Sequence, residues 1–499
     1  MTAPWWRSAV VYQIYPRSFL DTDGDGVGDL EGIRRRLDHL TWLGVDALWL
    51  SPIYPSPMAD FGYDVADHRD VDPVFGDLAA FDRLVTEAHD RGLRVLLDWV
   101  PNHTSDRHPW FVAARSSRHD PQRDWYIWRD RPTNWTSAFG TGAAWTRDEA
   151  TDQYYLHHFL PQQPDLNWAN PEVVEAMHGV LYFWLDRGVD GFRADVVHLL
   201  GRDPAFPDDP PERVGSSRVG THDEPVTHAL LRGIRGMLDG YAGDRVMVGE
   251  VNLADSAAIA AYYGRGDELH LAFNFGLLFA PWDAARWREV IAEVLAAYTP
   301  ADAWPTWVLS NHDQPRHRTR YGSAGRARAA AVALLTLPGT PFLYAGEELG
   351  LAHAEIPPER ALDPDGRDGC RAPIPWQPGP AHGWASAQPW LPWPPEPDAH
   401  SAARLREDPG SILHLYRRLL AARRASPALT GGEFAWLDAP PGVLAYTRTT
   451  GQDRRTVLVN HTDDSQPTGL DGAHEVVVSS RGEGDRRTLA PSQALLLRS

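Results

Sequence analysis

DGFRADV, Asp190 to Val196, reads as a short β-strand with an arginine and an aspartate near its far end. The segment before it has the marks of a helix. Asn170 ahead of Pro171 supplies an N-cap and a first-turn proline, and Gly188 after Arg187 supplies the stop. A helix running into a strand is half of a parallel βαβ unit. The same alternation recurs on both sides. VVYQIYP ending at Pro16, DALWLSP from Asp46 and RVLLDWV from Arg94 precede it as strands. VMVGEV from Val246, HLAFNF from His270, TWVLSN from Thr306 and PFLYAG from Pro341 follow. Between them, Leu30, Ile33, Leu37, Leu40 and Leu43 recur at helical spacing, and Asp77 and Gly92 bracket another helix. Eight strands alternating with helices predict an α/β chain built on a (β/α)8 TIM barrel, over residues 1–103 and 165–424.

More than sixty residues separate DWVPNH, ending at His103, from the helix at Asn170. That is too long for a simple connection, so 104–164 is expected to form an inserted subdomain on the third βα loop. GVLAYTRTT, RRTVLVNHT and HEVVVSS predict an antiparallel β-sandwich over 425–499. QPWLPWPPEPDAH has the composition of a linker and is equally compatible with a barrel loop.

Composition narrows the function. Net charge is −19, which disfavours nucleic acid and anionic membrane as partners, since both require a basic face. All 48 cationic side chains are arginine. The absence of lysine excludes a lysine-bearing phosphate loop and Schiff-base chemistry, and arginine does not act as a general base. Cys370 is the single cysteine, so no intrachain disulfide and no cysteine metal cluster can form. The start of the chain lacks a secretory pattern and no run approaches eighteen apolar residues; a cytoplasmic location is the expectation.

Active-site residues of such barrels project from the C-terminal ends of the strands. Those ends carry Asp98 with Asn102 and His103, then Arg193 and Asp195, then Glu250, then His312 and Asp313. Taken singly, each strand-end aspartate could cap the next helix. As a set, four carboxylates, an arginine and two histidines suit glycosidic cleavage. One carboxyl protonates the leaving oxygen and a second attacks or stabilises an oxocarbenium-like sugar.

DWVPNH, GFRADVVH, GEVN and SNHD resemble, in order, the four short motifs of the α-amylase family of retaining glycoside hydrolases. The likeness extends over nearly the whole chain, from VVYQIYPRSF to SILHLYRRLLAARR, and QPDLNW at Gln163 is similar to the marker of its oligo-1,6-glucosidase and α-glucosidase branch. The resemblance implies an exo-acting retaining α-glucosidase that releases α-glucose from the non-reducing end of short α-glucosides. It makes Asp195 the nucleophile, Glu250 the general acid/base and Asp313 the third acid. His103, Arg193 and His312 would line the glucose subsite, and Tyr63 would stack on the sugar. Asp64 would bind its distal hydroxyls and pair with Arg371 to close the pocket. Arg371 is a looser match, since Ala372 and Ile374 stand where the family has threonine and methionine. Val196, after the nucleophile, leans toward α-1,6 linkages by the same resemblance, with α-1,4 open.

DTDGDGVGDL, Asp21 to Leu30, begins like an EF-hand loop but has Gly32 where the twelfth-position glutamate is needed. A similar loop in the related glucosidases holds structural Ca²⁺, which assigns Asp21, Asp23, Asp25, the Val27 carbonyl and Asp29 as ligands by resemblance. The alternative makes Asp29 a helix N-cap and the rest a solvated turn. No organic cofactor is expected. The same scaffold supports an α-glucosyltransferase or a sucrose- or trehalose-converting enzyme. A non-catalytic sugar-binding or transporter-associated relative is a further alternative, disfavoured by the intact acids. Oligomeric state is open.

Overall fold

The computed structural model describes residues 4–140, 142–211, 222–470, 474–482 and 487–498. Eight parallel strands make the central sheet: β1 (Val11–Ile14), β2 (Ala47–Leu50), β3 (Arg94–Trp99), β4 (Gly191–Ala194), β5 (Val246–Gly249), β6 (Leu271–Ala272), β7 (Thr306–Val308) and β8 (Thr340–Tyr344). Their order is β7–β8–β1–β2–β3–β4–β5–β6, so chain neighbours are spatial neighbours throughout. The ring closes at the β6–β7 seam through one side chain. The Thr306 hydroxyl donates to the Ala272 carbonyl at 2.9 Å and accepts from the Asn274 amide N–H at 3.1 Å.

Period-two alternation sorts each strand. Val11, Ala47, Trp49, Leu96, Val246, Val248, Leu271, Val308 and Phe342 pack in the lumen, while Tyr12, Ile14, Leu48 and Leu97 face the surrounding helices. Two residues beyond a lumen-facing Leu96 comes Asp98, and two beyond Val248 comes Glu250. Strand phase thus delivers both acids to the barrel's mouth.

Helix signals are realised with one difference. Asn170 caps Pro171–Asp186 by accepting from Glu172 N, and Asp77 caps Leu78–Asp90 by accepting from Ala80 N. The segment from Leu30 to Leu43 is two helices, Leu30–Arg35 and Leu37–Leu43, broken at Arg36. All five leucine and isoleucine positions stay buried across the break.

Within the insertion, Trp128–Arg129, Gln153–Leu156 and Trp145–Asp148 form a three-stranded antiparallel sheet. Its small core of Ile127, Trp135, Trp145 and Leu156 takes in Phe206 from the loop after β4, which stacks on Trp135 at 5.6 Å. That long loop continues into 212–221, outside the described residues. At the C-terminus, β9 (Glu433–Trp436), β10 (Val443–Thr450), β11 (Asp453–Asn460), β12 (Glu475–Ser479) and β13 (Ala494–Arg498) form one antiparallel sheet. One face meets the helix Ala324–Thr336, where the Tyr446 and Thr336 hydroxyls lie 2.6 Å apart. The other buries Val443, Leu458 and Leu495 under Leu489 of a two-stranded ribbon, Gln466–Pro467 with Thr488–Leu489. The proline- and tryptophan-rich segment is a barrel loop. Ser386 N donates to Asp21 Oδ2 at 2.9 Å and Trp390 N to the Gly26 carbonyl at 2.9 Å, so it lies against the acidic loop. No described helix is long and apolar enough to cross a membrane.

Candidate active site

Arg193, inward on β4, is the hub. Its Nη1 donates to Asp98 Oδ1 and to Asp195 Oδ1, both at 2.7 Å, and its Nη2 donates to Glu250 Oε2. Three strands thereby place three carboxylates on one buried guanidinium. Backbone contacts hold the ends in register: Asp195 N donates to the Trp99 carbonyl, Glu250 N to Ala194 and Val197 N to Glu250. Val196, between them, takes φ +37°, a left-handed conformation unusual for a β-branched residue.

Electrostatics follow from three acids sharing one cation in a largely buried site. Burial pushes Asp98 up to about 6, with Arg193 opposing it. Asp195 is pushed well above the usual carboxylate range by burial, against the pull of Arg193 and with the repulsion of Glu250 and Asp98. Arg193 alone would hold Asp195 below its ordinary value; burial and two neighbouring acids outweigh it.

A relay supports Asp98. The Gln13 amide donates to His312 Nδ1 at 2.8 Å, which leaves Nε2–H to face the Tyr63 hydroxyl at 2.6 Å. The hydroxyl then donates to Asp98 Oδ2 at 3.0 Å, and Trp49 Nε1 donates to the same oxygen at 3.2 Å. Tyr63 and His312 stack at 5.4 Å with a 9° tilt. Burial lowers His312 to about 3 and His103 to about 4, so both are neutral. Burial alone would raise Asp313, yet it stays well below the ordinary range. With His312 neutral, the arginines Arg367, Arg371 and Arg193 supply the attraction.

A cavity of 590 Å³ opens over this cluster, lined by Tyr63, His103, Asp195, Glu250, His312 and Asp313 among others. Its inner wall differs from the expected one. Asp60 and Arg367 line the cavity and pair at 2.5 Å. The expected Asp64–Arg371 pair does not form. Asp64 is buried under a turn, where its carboxylate accepts from Ser56 Oγ and from the amides of Ala59 and Asp60. Every guanidinium nitrogen of Arg371 is engaged elsewhere, with Asp363, Asp313 and the His312 carbonyl. Arg371 therefore supports Asp313 from behind. Gln163 of QPDLNW also reaches the site, donating to Asp60 Oδ2 at 3.0 Å and lying 3.1 Å from His103 Nε2. Asp60, Arg367, Gln163 and Gln13 escaped sequence reasoning. Arg367 and Arg371 belong to one short motif, GRDGCR, and only the fold shows which one faces the cavity.

The site thus joins an acid pair on one arginine to a pocket wall on the opposite side, and comparison with known proteins agrees. Residues 13–432 match the family described as alpha amylase, catalytic domain. The chain belongs to the α-amylase family of glycoside hydrolases. Its relatives fall in the expected branch. A probable α-glucosidase of Rhizobium meliloti is 43% identical over 92% of this chain and 90% of its own. An oligo-1,6-glucosidase of Parageobacillus thermoglucosidasius is 36% identical over 93% and 91%. The solved α-glucosyl transfer enzyme XgtA is 39% identical with a TM-score of 0.93, covering 100% of both chains. The trehalulose synthase MutB of Pseudomonas mesoacidophila MX-45 is 34% identical, also at 0.93 and 100% of both.

Away from the cavity, the acidic loop draws three of its four acids together. Carboxylate oxygens of Asp21, Asp23 and Asp29 lie within 4.8 Å of one another. Asp29 does cap the helix Leu30–Arg35, through Gly32 N, while its other oxygen accepts from Thr22. Asp25 is turned to Val27 N at 2.7 Å and stands outside the converging group. Among the described residues no arginine ion-pairs with these acids, so the donor set suits a hard divalent cation.

Proposed function

We propose that the protein is an exo-acting retaining α-glucosidase that releases α-glucose from short α-glucosides through a covalent glucosyl-enzyme. The observation that carries this reading is the Asp60–Arg367 pair, which lines the same cavity as the acid cluster and in this reading closes the pocket behind one terminal sugar.

In this reading Asp195 Oδ attacks the anomeric carbon while the Glu250 carboxyl gives its proton to the departing glycosidic oxygen. Water enters, Glu250 takes its proton, and the hydroxide attacks the same carbon to free the Asp195 carboxylate. Asp313, kept ionised by arginines, accepts from two sugar hydroxyls. Asp60 and Arg367 bind the far hydroxyls, Tyr63 offers its ring face, and His103 and His312 complete the subsite. Val196 lines the cavity and leans this reading toward α-1,6 substrates, with α-1,4 open. Asp21, Asp23 and Asp29, with the Val27 carbonyl and Asp25, would hold Ca²⁺, whose charge would offset their mutual repulsion and pin the first βα loop. Glucosyl transfer to a sugar acceptor is the second reading, supported by the structural likeness to XgtA and MutB.

Proton NMR of fresh reactions on maltose, isomaltose, sucrose and trehalose tests this. The reading expects α-glucose as the first-formed anomer at the cleaved bond, and first-formed β-glucose from sucrose, whose leaving group is not glucose, would overturn it.

A further inference from the structure

Phe279 is 60% exposed, more than any other large apolar side chain singled out as exposed among the described residues, and it lines the catalytic cavity. It is not on a loose tail. The short helix Gly276–Phe279 leaves β6 directly, and Phe279 N donates to the Phe275 carbonyl. Phe275 stacks on the buried Phe273 at 5.5 Å and 13°, and meets the Phe279 ring edge-on at 6.4 Å. The next residue, Ala280, is buried, and its carbonyl accepts from Arg320. A rigidly mounted phenyl ring left open to water forgoes burial that a ligand could supply.

Its place in the ring of strands says what would cover it. Asp60 follows β2 and Arg367 follows β8, and these two strands flank β1. In an eight-stranded ring the opposite side is β5, whose end carries Glu250. β5 pairs with β6, Gly249 opposite Ala272, so Phe279 stands on the side from which Glu250 protonates the leaving group. We propose that Phe279 is the platform on which the leaving-group ring stacks, and hence a determinant of which α-glucosides are taken. The chemistry it recognises is a ring with an apolar face, whether the C–H face of a second sugar or an aryl group. This inference rests on the glucosidase reading.

Three substrates separate the possibilities: isomaltose, nitrophenyl α-glucoside, and α-glucosyl fluoride, whose leaving group has no ring. Turnover of the fluoride by the native enzyme tests the glucosidase reading by itself. For Phe279→Ala, the ratio of kcat/KM on a ring-bearing substrate to that on the fluoride should fall ~10-fold, with Phe279→Trp restoring it. A fall with isomaltose alone identifies a sugar ring, with the nitrophenyl substrate alone an aryl ring, and with both a platform for either. Unchanged ratios, whether because nothing changes or because the fluoride falls in parallel, would overturn the proposal.

Discussion

Asp60 and Arg367, 307 residues apart in the chain, meet at 2.5 Å across the inner end of the cavity, each almost fully buried. Arg367 also reaches Asp363 and Asp313, so one guanidinium joins the pocket wall to an acid of the subsite. A wall built this way helps to hold Asp313 and, in the proposed reading, limits how many sugars fit.

Removing one partner of this pair leaves a buried charge without compensation, at a cost of about 3 kcal/mol. Arg367→Ala also removes a charged donor from the pocket wall and from Asp313, and should lower kcat/KM on nitrophenyl α-glucoside by ~10²-fold or more. Asp64→Asn, which alters only the turn behind the wall, should cost less than Asp60→Asn. Initial-rate kinetics of the three variants check the ranking, and equal losses at Asp64 and Asp60 would contradict the placement of the wall.

Glu347 gives a pH test away from the site. It lies buried beside Tyr416 and is pushed up to about 8 by burial, with backbone and Arg316 contacts opposing and Glu348 adding. Because its folded pKa is raised, the folded state holds a proton that the unfolded state has released. Stability from this group is full below about pH 4.5, falls by ~1.4 kcal/mol per pH unit as pH rises toward 8, and is lost above that. Glu347→Gln should gain stability relative to the native protein between pH 5 and pH 8. Paired thermal melts at those two values measure it; a difference independent of pH would count against the buried-acid account.

The acidic loop yields a graded prediction. EDTA should lower Tm more than it lowers activity in the cold, and elemental analysis should find one Ca²⁺ per chain. Asp21→Asn should remove the EDTA effect on Tm, while Asp25→Asn, outside the converging group, should retain most of it. An unchanged Tm on chelation, or equal behaviour of the two variants, would refute this ligand set.

Legibility in the sequence tracked regularity in the backbone. The barrel acids could be found because lumen-facing positions repeat every second residue, so Asp98 follows Leu96 and Glu250 follows Val248 into the mouth. Residues 51–76 have no such period. Met58 and Phe61 both take positive φ, at 65° and 46°, and no pattern there tells Asp60 from Asp64. Arg367 precedes and Arg371 ends one 3-10 turn, Asp368–Arg371, so their different facing appears only in three dimensions. The break at Arg36 is equally invisible, since the buried face stays continuous through it. Composition left the proline-rich segment open between a linker and a barrel loop; the Trp390 amide on the Gly26 carbonyl, some 360 residues away in the chain, places it as a barrel loop.

The central claim, that Asp195 forms the covalent bond to glucose, is tested most directly by trapping. A 5-fluoro-α-glucosyl fluoride slows hydrolysis of the glucosyl-enzyme, and mass spectrometry of the intact protein and its peptides then locates the label. The account predicts one added fluoroglucosyl group per chain, attached at Asp195 and absent in Asp195→Ala. No added mass during turnover, or a label on Glu250 or any other residue, would contradict it.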